Sequence, residues 1–197
     1  MTLTSSASLR TGVVKTFRYV PPIEWLLGNI NTLGQPIFAI PRLPLRLGTP
    51  IRSGDDLSAW IASRSSDAEP DGSLIATFTV DVGGTLLLAP RRSEHVACAG
   101  GGPVLSAGEI TFLDGDVSEI TNQSTGFCPE PESWPTVAAA LDAIPVDRPD
   151  DFTTRVVFRL CPGCNERNIV KDGWFVCDLC GADLPENWNF PVAQRGT

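Results

Sequence analysis

No stretch of the sequence approaches 18 consecutive apolar residues, so we expect no membrane-spanning helix. The first residues also lack the basic segment and the uninterrupted apolar core of a secretory signal. Internal repeats and low-complexity tracts are absent as well. Hydrophobic residues make up 42% of the chain and charged residues 19%, which is typical of a globular protein and not of a disordered one. A length of 197 residues is sufficient for one compact domain with a small appended module.

The sequence also lacks a basic excess, because its formal net charge is −8. The charge is uneven along the chain: residues 1–54 carry six basic residues and one acidic one, whereas residues 55–150 carry four basic and sixteen acidic residues. An acidic central segment repels phosphates and argues against a broad nucleic-acid surface. We therefore expect no nucleic-acid partner and no membrane partner.

Histidine is nearly absent, and the single one, His95, precedes three consecutive glycines, Gly100, Gly101 and Gly102. Glycines allow close approach of a ligand to the backbone, and His95, Glu109 or Ser124 can serve as acid, base or ligand anchor. These three are the candidate catalytic residues. No phosphate-binding or dinucleotide-binding pattern surrounds the glycines. A purely structural histidine, buried against a sheet and bonded to the backbone, is the alternative interpretation.

Cysteine is present six times, and four of the six form two Cys-x-x-Cys pairs separated by twelve residues. The pairs consist of Cys161, Cys164, Cys177 and Cys180. Two such turns can direct four thiolates at one ion, which predicts a zinc ribbon with one structural Zn²⁺ in a closed tetrahedral site. Iron fits the same ligand set. Cys98 and Cys128 are expected to be small buried residues, and thiols of this kind favour a reducing, cytoplasmic location.

The pattern of elements predicts an α+β protein with a mainly antiparallel sheet, one or two flanking helices and a C-terminal zinc ribbon. We expect a proline-rich apolar arm over residues 1–54, the α+β body over residues 55–150, and the ribbon and tail over residues 151–197. Helices are predicted at residues 55–64, capped by Asp55, and 133–144, capped by Ser133. Strands are predicted at residues 74–82, 85–89, 93–97, 109–113, 117–121 and 155–160.

Two details of this scheme stay open in the sequence. The arm, with Trp25, Leu26, Leu27, Ile37 and Phe38, is expected to pack on the chain's own body or on a partner. The hairpin around Asp114, Gly115 and Asp116 sets Ile110 opposite Glu119 if its loop has two residues. A three-residue loop sets Ile110 opposite Ile120, which suits a buried face better.

Two segments resemble a family of uncharacterised bacterial zinc-ribbon proteins: residues 120–134, which read ITNQSTGFCPEPESW, and residues 168–177, which read NIVKDGWFVC. The resemblance covers roughly residues 74–190 and implies no established activity. A more distant similarity relates residues 101–109 and 124–129 to a module found beside bacterial toxins and in plant calmodulin-binding proteins. That module carries Ser-Gly-His-Tyr-x-Pro where this chain has Ser-Thr-Gly-Phe-Cys-Pro, so its second histidine is absent here.

Taken together, the patterns predict a cytoplasmic zinc-binding interaction or adaptor module of a bacterial complex, with a protein partner. The alternative is a small enzyme or ligand-binding protein that uses His95, Glu109 and the loop of glycines at residues 100–102.

Overall fold

The structure is a computed structural model, and it describes residues 15–17 and 48–190. It has an α+β architecture with a mainly antiparallel sheet, as the sequence predicts. The helices are α1 (Gly54–Ala62), α2 (His95–Cys98) and α3 (Trp134–Asp142), with short 3₁₀ turns at Ser65–Asp67 and Pro131–Ser133. The strands are β1 (Thr49–Ile51), β2 (Leu74–Asp81), β3 (Leu86–Pro90), β4 (Val104–Leu113), β5 (Asp116–Ile120), β6 (Val157–Leu160) and β7 (Arg167–Val170).

Two antiparallel sheets divide the described chain. A five-stranded sheet, in the order β1-β3-β2-β4-β5, forms with its helices the body, residues 48–152. The two-stranded sheet β6-β7 belongs to the ribbon, residues 157–190, which carries the cysteine pairs. The first strand, β1, lies within the segment predicted as an arm, so that segment contributes directly to the body's sheet.

Alternating residues of the sheet form the main core of the body. Side chains from β2 and β4 such as Phe78, Ile110 and Phe112 pack with Trp60 of α1 and Leu141 of α3, and all are buried. Burial of large apolar side chains of this kind contributes about 1.5–3 kcal/mol each. The helices therefore lie where their apolar stripes meet one face of the sheet.

Helix α1 begins one residue earlier than predicted. Ser53, and not Asp55, is its N-cap: the Ser53 hydroxyl oxygen accepts a hydrogen bond from Asp56 N–H at 3.1 Å. The predicted Ser133 cap also differs, because its hydroxyl donates to the Glu130 carbonyl at 2.7 Å instead of capping α3. Both hydroxyls bond to nearby backbone groups in a pattern that sequence spacing alone does not reveal.

The β4-β5 hairpin combines features of both predicted registers. Asp114 and Gly115 form the two-residue turn, each with a positive φ, so that Leu113 pairs with Asp116. Ile110 nevertheless lies opposite Ile120, because the register shifts beyond Phe112. A β-bulge thus restores the pairing of the two buried isoleucines that a plain two-residue hairpin would lose.

The predicted strand at residues 93–97 is wrong, since this segment contains the helical turn α2. The helical conformation places His95 and Cys98, three residues apart, on the same side of the turn. His95 then bonds to the Gly108 carbonyl of β4, and Cys98 packs on Leu87 of β3. A strand would have pointed these two side chains to opposite faces.

The described part of the arm packs against the chain itself. Phe17 is buried and exchanges backbone hydrogen bonds with Val104 at 2.7 and 2.9 Å. The Phe17 ring packs edge to face on Trp188, with ring centroids 5.5 Å apart. Lys15 lies over the same indole ring and forms an ion pair with Glu130. Trp25, Leu26, Leu27, Ile37 and Phe38 lie outside the described residues.

Candidate metal centre

The first pair of cysteines occupies a tight turn that follows β6. Cys161 N–H donates to the Glu166 carbonyl at 2.8 Å, and Asn165 N–H donates to the Cys161 carbonyl at 2.9 Å. Asn165 has a φ of 60°, a conformation that asparagine tolerates. Gly163 N–H also donates to the Cys161 sulfur at 3.3 Å. Residues 161–166 therefore form a closed loop from which the Cys161 and Cys164 side chains converge.

The second pair repeats this construction sixteen residues later. Cys177 N–H donates to the Ala182 carbonyl at 2.8 Å, and Gly181 N–H donates to the Cys177 carbonyl at 3.0 Å. Gly181 has a φ of 72° in the position that Asn165 occupies in the first turn. Asparagine and glycine are the residue types that best tolerate this conformation, so the two turns share one backbone requirement.

The two turns bring all four sulfurs within 4.8 Å of one another. The Cys161 and Cys180 sulfurs are 3.5 Å apart, and the Cys164 and Cys177 sulfurs are 3.6 Å apart. A tetrahedron of thiolates at the usual Zn–S distance of about 2.3 Å has sulfur–sulfur edges of about 3.8 Å. The cluster can therefore hold one metal ion with four sulfur ligands.

Hydrogen bonds around Cys177 favour its thiolate form. Backbone N–H groups of Cys180 and Leu179 lower the pKa of the Cys177 thiol to about 6, against the opposing effect of burial. The buried side chain of Asn168, on β7, adds an amide contact to the same sulfur at 3.6 Å. Its carbonyl oxygen accepts Asp178 N–H at 3.0 Å. Thiolates are the metal-binding form of cysteine, so these donors prepare the site for a cation.

Asn168 is the residue that sequence analysis missed. Its contacts cross from the first cysteine turn to the second, so it links the two halves of the site. The only signal in the sequence is a polar residue between Arg167 and the apolar pair Ile169 and Val170. Strand alternation alone cannot distinguish such a residue from a solvent-facing one.

The structure assigns His95 a backbone partner. Its Nε2 lies 3.0 Å from the Gly108 carbonyl oxygen, and burial lowers the pKa of the imidazole below its usual 6.5. The nearby charge of Glu109 opposes that decrease, so these two candidates lie near each other. Ser124 is buried and directed elsewhere: its hydroxyl oxygen accepts Phe127 N–H at 3.4 Å.

The run of glycines ends helix α2. Gly100, Gly101 and Gly102 donate their N–H groups to the carbonyls of Ala97, Val96 and Ala99, respectively. Gly100 and Gly101 have positive φ values of 65° and 77°, which explains the need for glycine. These N–H groups serve as hydrogen-bond donors within the chain.

The two remaining cysteines are buried, as expected. Cys98 packs with Leu87 and Ala89 behind the sheet, and Cys128 lies with Phe158 and Phe190 where the ribbon meets the body. Burial raises the pKa of the Cys128 thiol to about 12. At neutral pH this thiol is protonated and poorly reactive.

Comparison with known proteins returned no matching family model, no matching curated protein and no matching solved structure. The resemblances described above therefore remain predictions that rest on the residues quoted for them. Among the described residues, no helix combines the length and the apolar character that crossing a membrane would require.

Proposed function

We propose that the chain is a cytoplasmic interaction module of a bacterial complex, and that its ribbon is held by one structural Zn²⁺. Four cysteine thiolates fill a tetrahedral shell and leave no coordination position for water or substrate, which supports a structural role over a catalytic one. Because the four sulfurs converge from two separate turns, the metal ties those turns together. The ribbon then serves as a rigid platform.

The exposed apolar side chains of the ribbon carry the interaction role. Trp174 is 69% exposed and Leu179 is 68% exposed, whereas most large apolar residues of the described chain are buried. Tryptophan is among the residues most enriched at protein contacts, so the exposed Trp174 supports a contact surface on the ribbon.

Both side chains lie on backbone that the metal positions. Leu179 sits between the ligands Cys177 and Cys180, and Trp174 follows a turn in which its N–H donates to the Lys171 carbonyl at 2.9 Å. Leu179 also borders an open groove of about 390 Å³ along β7, together with Ile169 and Lys171. A fixed backbone lowers the entropy lost on binding, which favours a protein partner with matching apolar pockets.

The identity of the metal is tested by elemental analysis of untagged, reduced protein. We expect one zinc per chain, and no zinc after substitution of Cys161 or Cys180 by serine. Cys98→Ala is the matched control, because it removes a thiol that lies outside the cluster. Iron in place of zinc, or no metal, would contradict this part of the proposal.

The interaction role is tested by quantitative capture from the native source. We expect one partner to be retained by the wild type and lost with Trp174→Ser or Leu179→Ser, while the zinc content stays unchanged. Val82→Ser is the control, because Val82 is 58% exposed but belongs to the body. If all three variants capture the same proteins in the same amounts, the ribbon is not the contact surface.

A further inference from the structure

A cavity unrelated to the metal centre opens at the edge of the body, where the end of α1 meets the start of β2 and the end of β3. Its volume is about 330 Å³, within the range of small-molecule sites. Trp60 and Arg64 line it from the helix side, and Arg91 and Arg92 line it from the end of β3. Three arginines thus meet at one cavity in a chain whose net charge is −8.

Two side-chain nitrogens on residues that line this cavity are buried and have no hydrogen-bond acceptor. They are Trp60 Nε1 and Arg64 Nε, and Arg167 Nη2 is the third such side-chain atom among residues 15–17 and 48–190. Trp60 itself is only 5% exposed. Leaving a buried donor unpaired costs about 1–3 kcal/mol, so two such donors on residues that line a single cavity call for an explanation.

The chemistry of these groups selects the type of ligand. Indole and guanidinium groups are donors only, so Trp60 and Arg64 can be satisfied only by an acceptor. A cation would add charge to three guanidinium groups and would satisfy neither donor. An oxyanion can accept hydrogen bonds from the guanidinium groups of the lining, and such charge-assisted bonds are about twice as strong as neutral ones.

Acidic residues balance part of the positive charge. Glu69 pairs with Arg91, and Asp67 lies 3.9 Å from Arg64 at the surface. Both carboxylates also line the cavity, so the five charged groups leave one net positive charge. This remaining charge favours an anionic ligand group over a cationic one.

We propose that this cavity binds a small molecule through a carboxylate or phosphate group, held by the guanidinium groups of Arg64 and Arg92 beside Trp60. The adjoining groove past the Arg91–Glu69 pair, lined by Ile75 and Thr111, would take the remainder of the molecule.

The test follows the indole N–H signal of Trp60 by ¹H–¹⁵N NMR, with Trp60→Phe used to assign it. Inorganic phosphate and succinate are titrated separately at constant pH, and sodium chloride controls for ionic strength. We expect a saturable shift of the Trp60 signal with at least one of the two anions. Whichever anion binds identifies the source of the charge, phosphate or carboxylate, and either result supports the proposal.

Arginine variants separate a built site from general charge attraction. Arg64→Gln and Arg92→Gln should each weaken the apparent affinity roughly tenfold, since a charge-assisted hydrogen bond contributes about that much. Arg155→Gln is the control, because Arg155 pairs with Asp151 outside this cavity. Shifts that match those in chloride, or equal affinities in the Arg64→Gln and Arg155→Gln variants, would overturn the proposal.

Discussion

The body and the ribbon differ in what holds them together. The main core of the body contains eighteen buried residues, with large side chains such as Phe78 and Phe112 between sheet and helices. The ribbon's own cluster around the cysteines contains three buried residues, Cys161, Cys177 and Leu184. Since stability grows with buried apolar area, we expect the body to fold on apolar burial alone and the ribbon to need a bound metal.

The two regions meet in a small aromatic contact between the ribbon's tail and the body. Trp188 N–H donates to the Cys128 carbonyl at 2.8 Å, and its ring packs between Phe17 and Phe190. Trp188 and Phe190 thus pack back from the ribbon's end against Cys128. The contact makes the ribbon a fixed extension of the body, although its fold depends on a separate source of stability.

The largest effect expected from this difference is that of metal removal. Stripping the metal with a chelator, or substituting Cys161 by serine, should unfold the ribbon and leave the body folded. Structural zinc contributes about 10 kcal/mol to modules of this kind, which is more than three small buried residues supply. Hydrogen exchange would show rapid exchange at β6 and β7 together with retained protection of β2 and β4.

Cys98→Ala is the control for this experiment, since Cys98 lies under the body's sheet and outside the cysteine cluster. We expect that variant to keep the metal and the protection of β6. Retained protection of β6 and β7 after complete metal removal would show that the ribbon does not depend on its metal.

The body should be most sensitive at Gly108 of β4. A Cβ atom there would lie 1.8 Å from the Thr121 carbonyl oxygen and 2.8 Å from the carbonyl carbon, both backbone atoms. Gly108→Ala must therefore displace backbone, and we expect it to lower the free energy of unfolding by about 3 kcal/mol. Chemical denaturation measures the free energy of unfolding of the body, and the metal content is measured in the same samples.

Gly102→Ala is the matched control for Gly108. Its added Cβ would meet the Ala99 carbonyl oxygen at 3.6 Å, an ordinary contact. We expect this variant to differ from the wild type by less than about 0.5 kcal/mol. Equal stability of the two alanine variants would show that the β4 backbone adapts to a side chain at Gly108.

A smaller effect is expected at the contact between the two regions. Trp188→Phe keeps an aromatic ring but removes the indole N–H, which leaves the Cys128 carbonyl without that donor. The expected loss is about 1–2 kcal/mol, with full zinc content. Thermal unfolding is followed separately at the metal centre and in the body. We expect the melting temperatures of the ribbon and of the body to differ more in the variant than in the wild type. A single, unshifted transition would mean that this bond does not couple the regions.

Sequence reasoning was most reliable where local geometry decides the outcome. Cysteine spacing correctly predicted that the four sulfurs converge, and alternation correctly predicted β2, because both patterns are satisfied within a few residues. The segment containing His95 was missed, since its conformation depends on the distant carbonyl of Gly108. Asn168 was missed for the same reason, because its partners lie in the other cysteine turn.

The Trp60 cavity was likewise beyond the reach of the sequence. Trp60 and Arg64 are one helical turn apart, which predicts only that they share a side of α1. Arg91 and Arg92 join them through the pairing of β2 with β3. The shared cavity therefore results from the sheet topology, and no local pattern in the sequence indicates it.

The smallest expected effect concerns His95 and pH. Burial lowers the pKa of its imidazole below 6.5 in the folded protein, although the bond to Gly108 and the charges of Glu109 and Glu94 oppose this. The unfolded chain therefore binds the proton first as the pH falls through about 6.5, so protonation favours unfolding and stability decreases. Above that pH both states hold a neutral ring, and this contribution to pH dependence disappears.

His95→Gln keeps a donor near Gly108 but does not titrate, so its stability should fall less steeply between about pH 6.5 and 5. Zinc release and carboxylate titration occur in both proteins, and the difference between their denaturation curves removes those shared effects. Parallel pH curves for the wild type and His95→Gln would show that His95 titrates equally in the folded and unfolded chains.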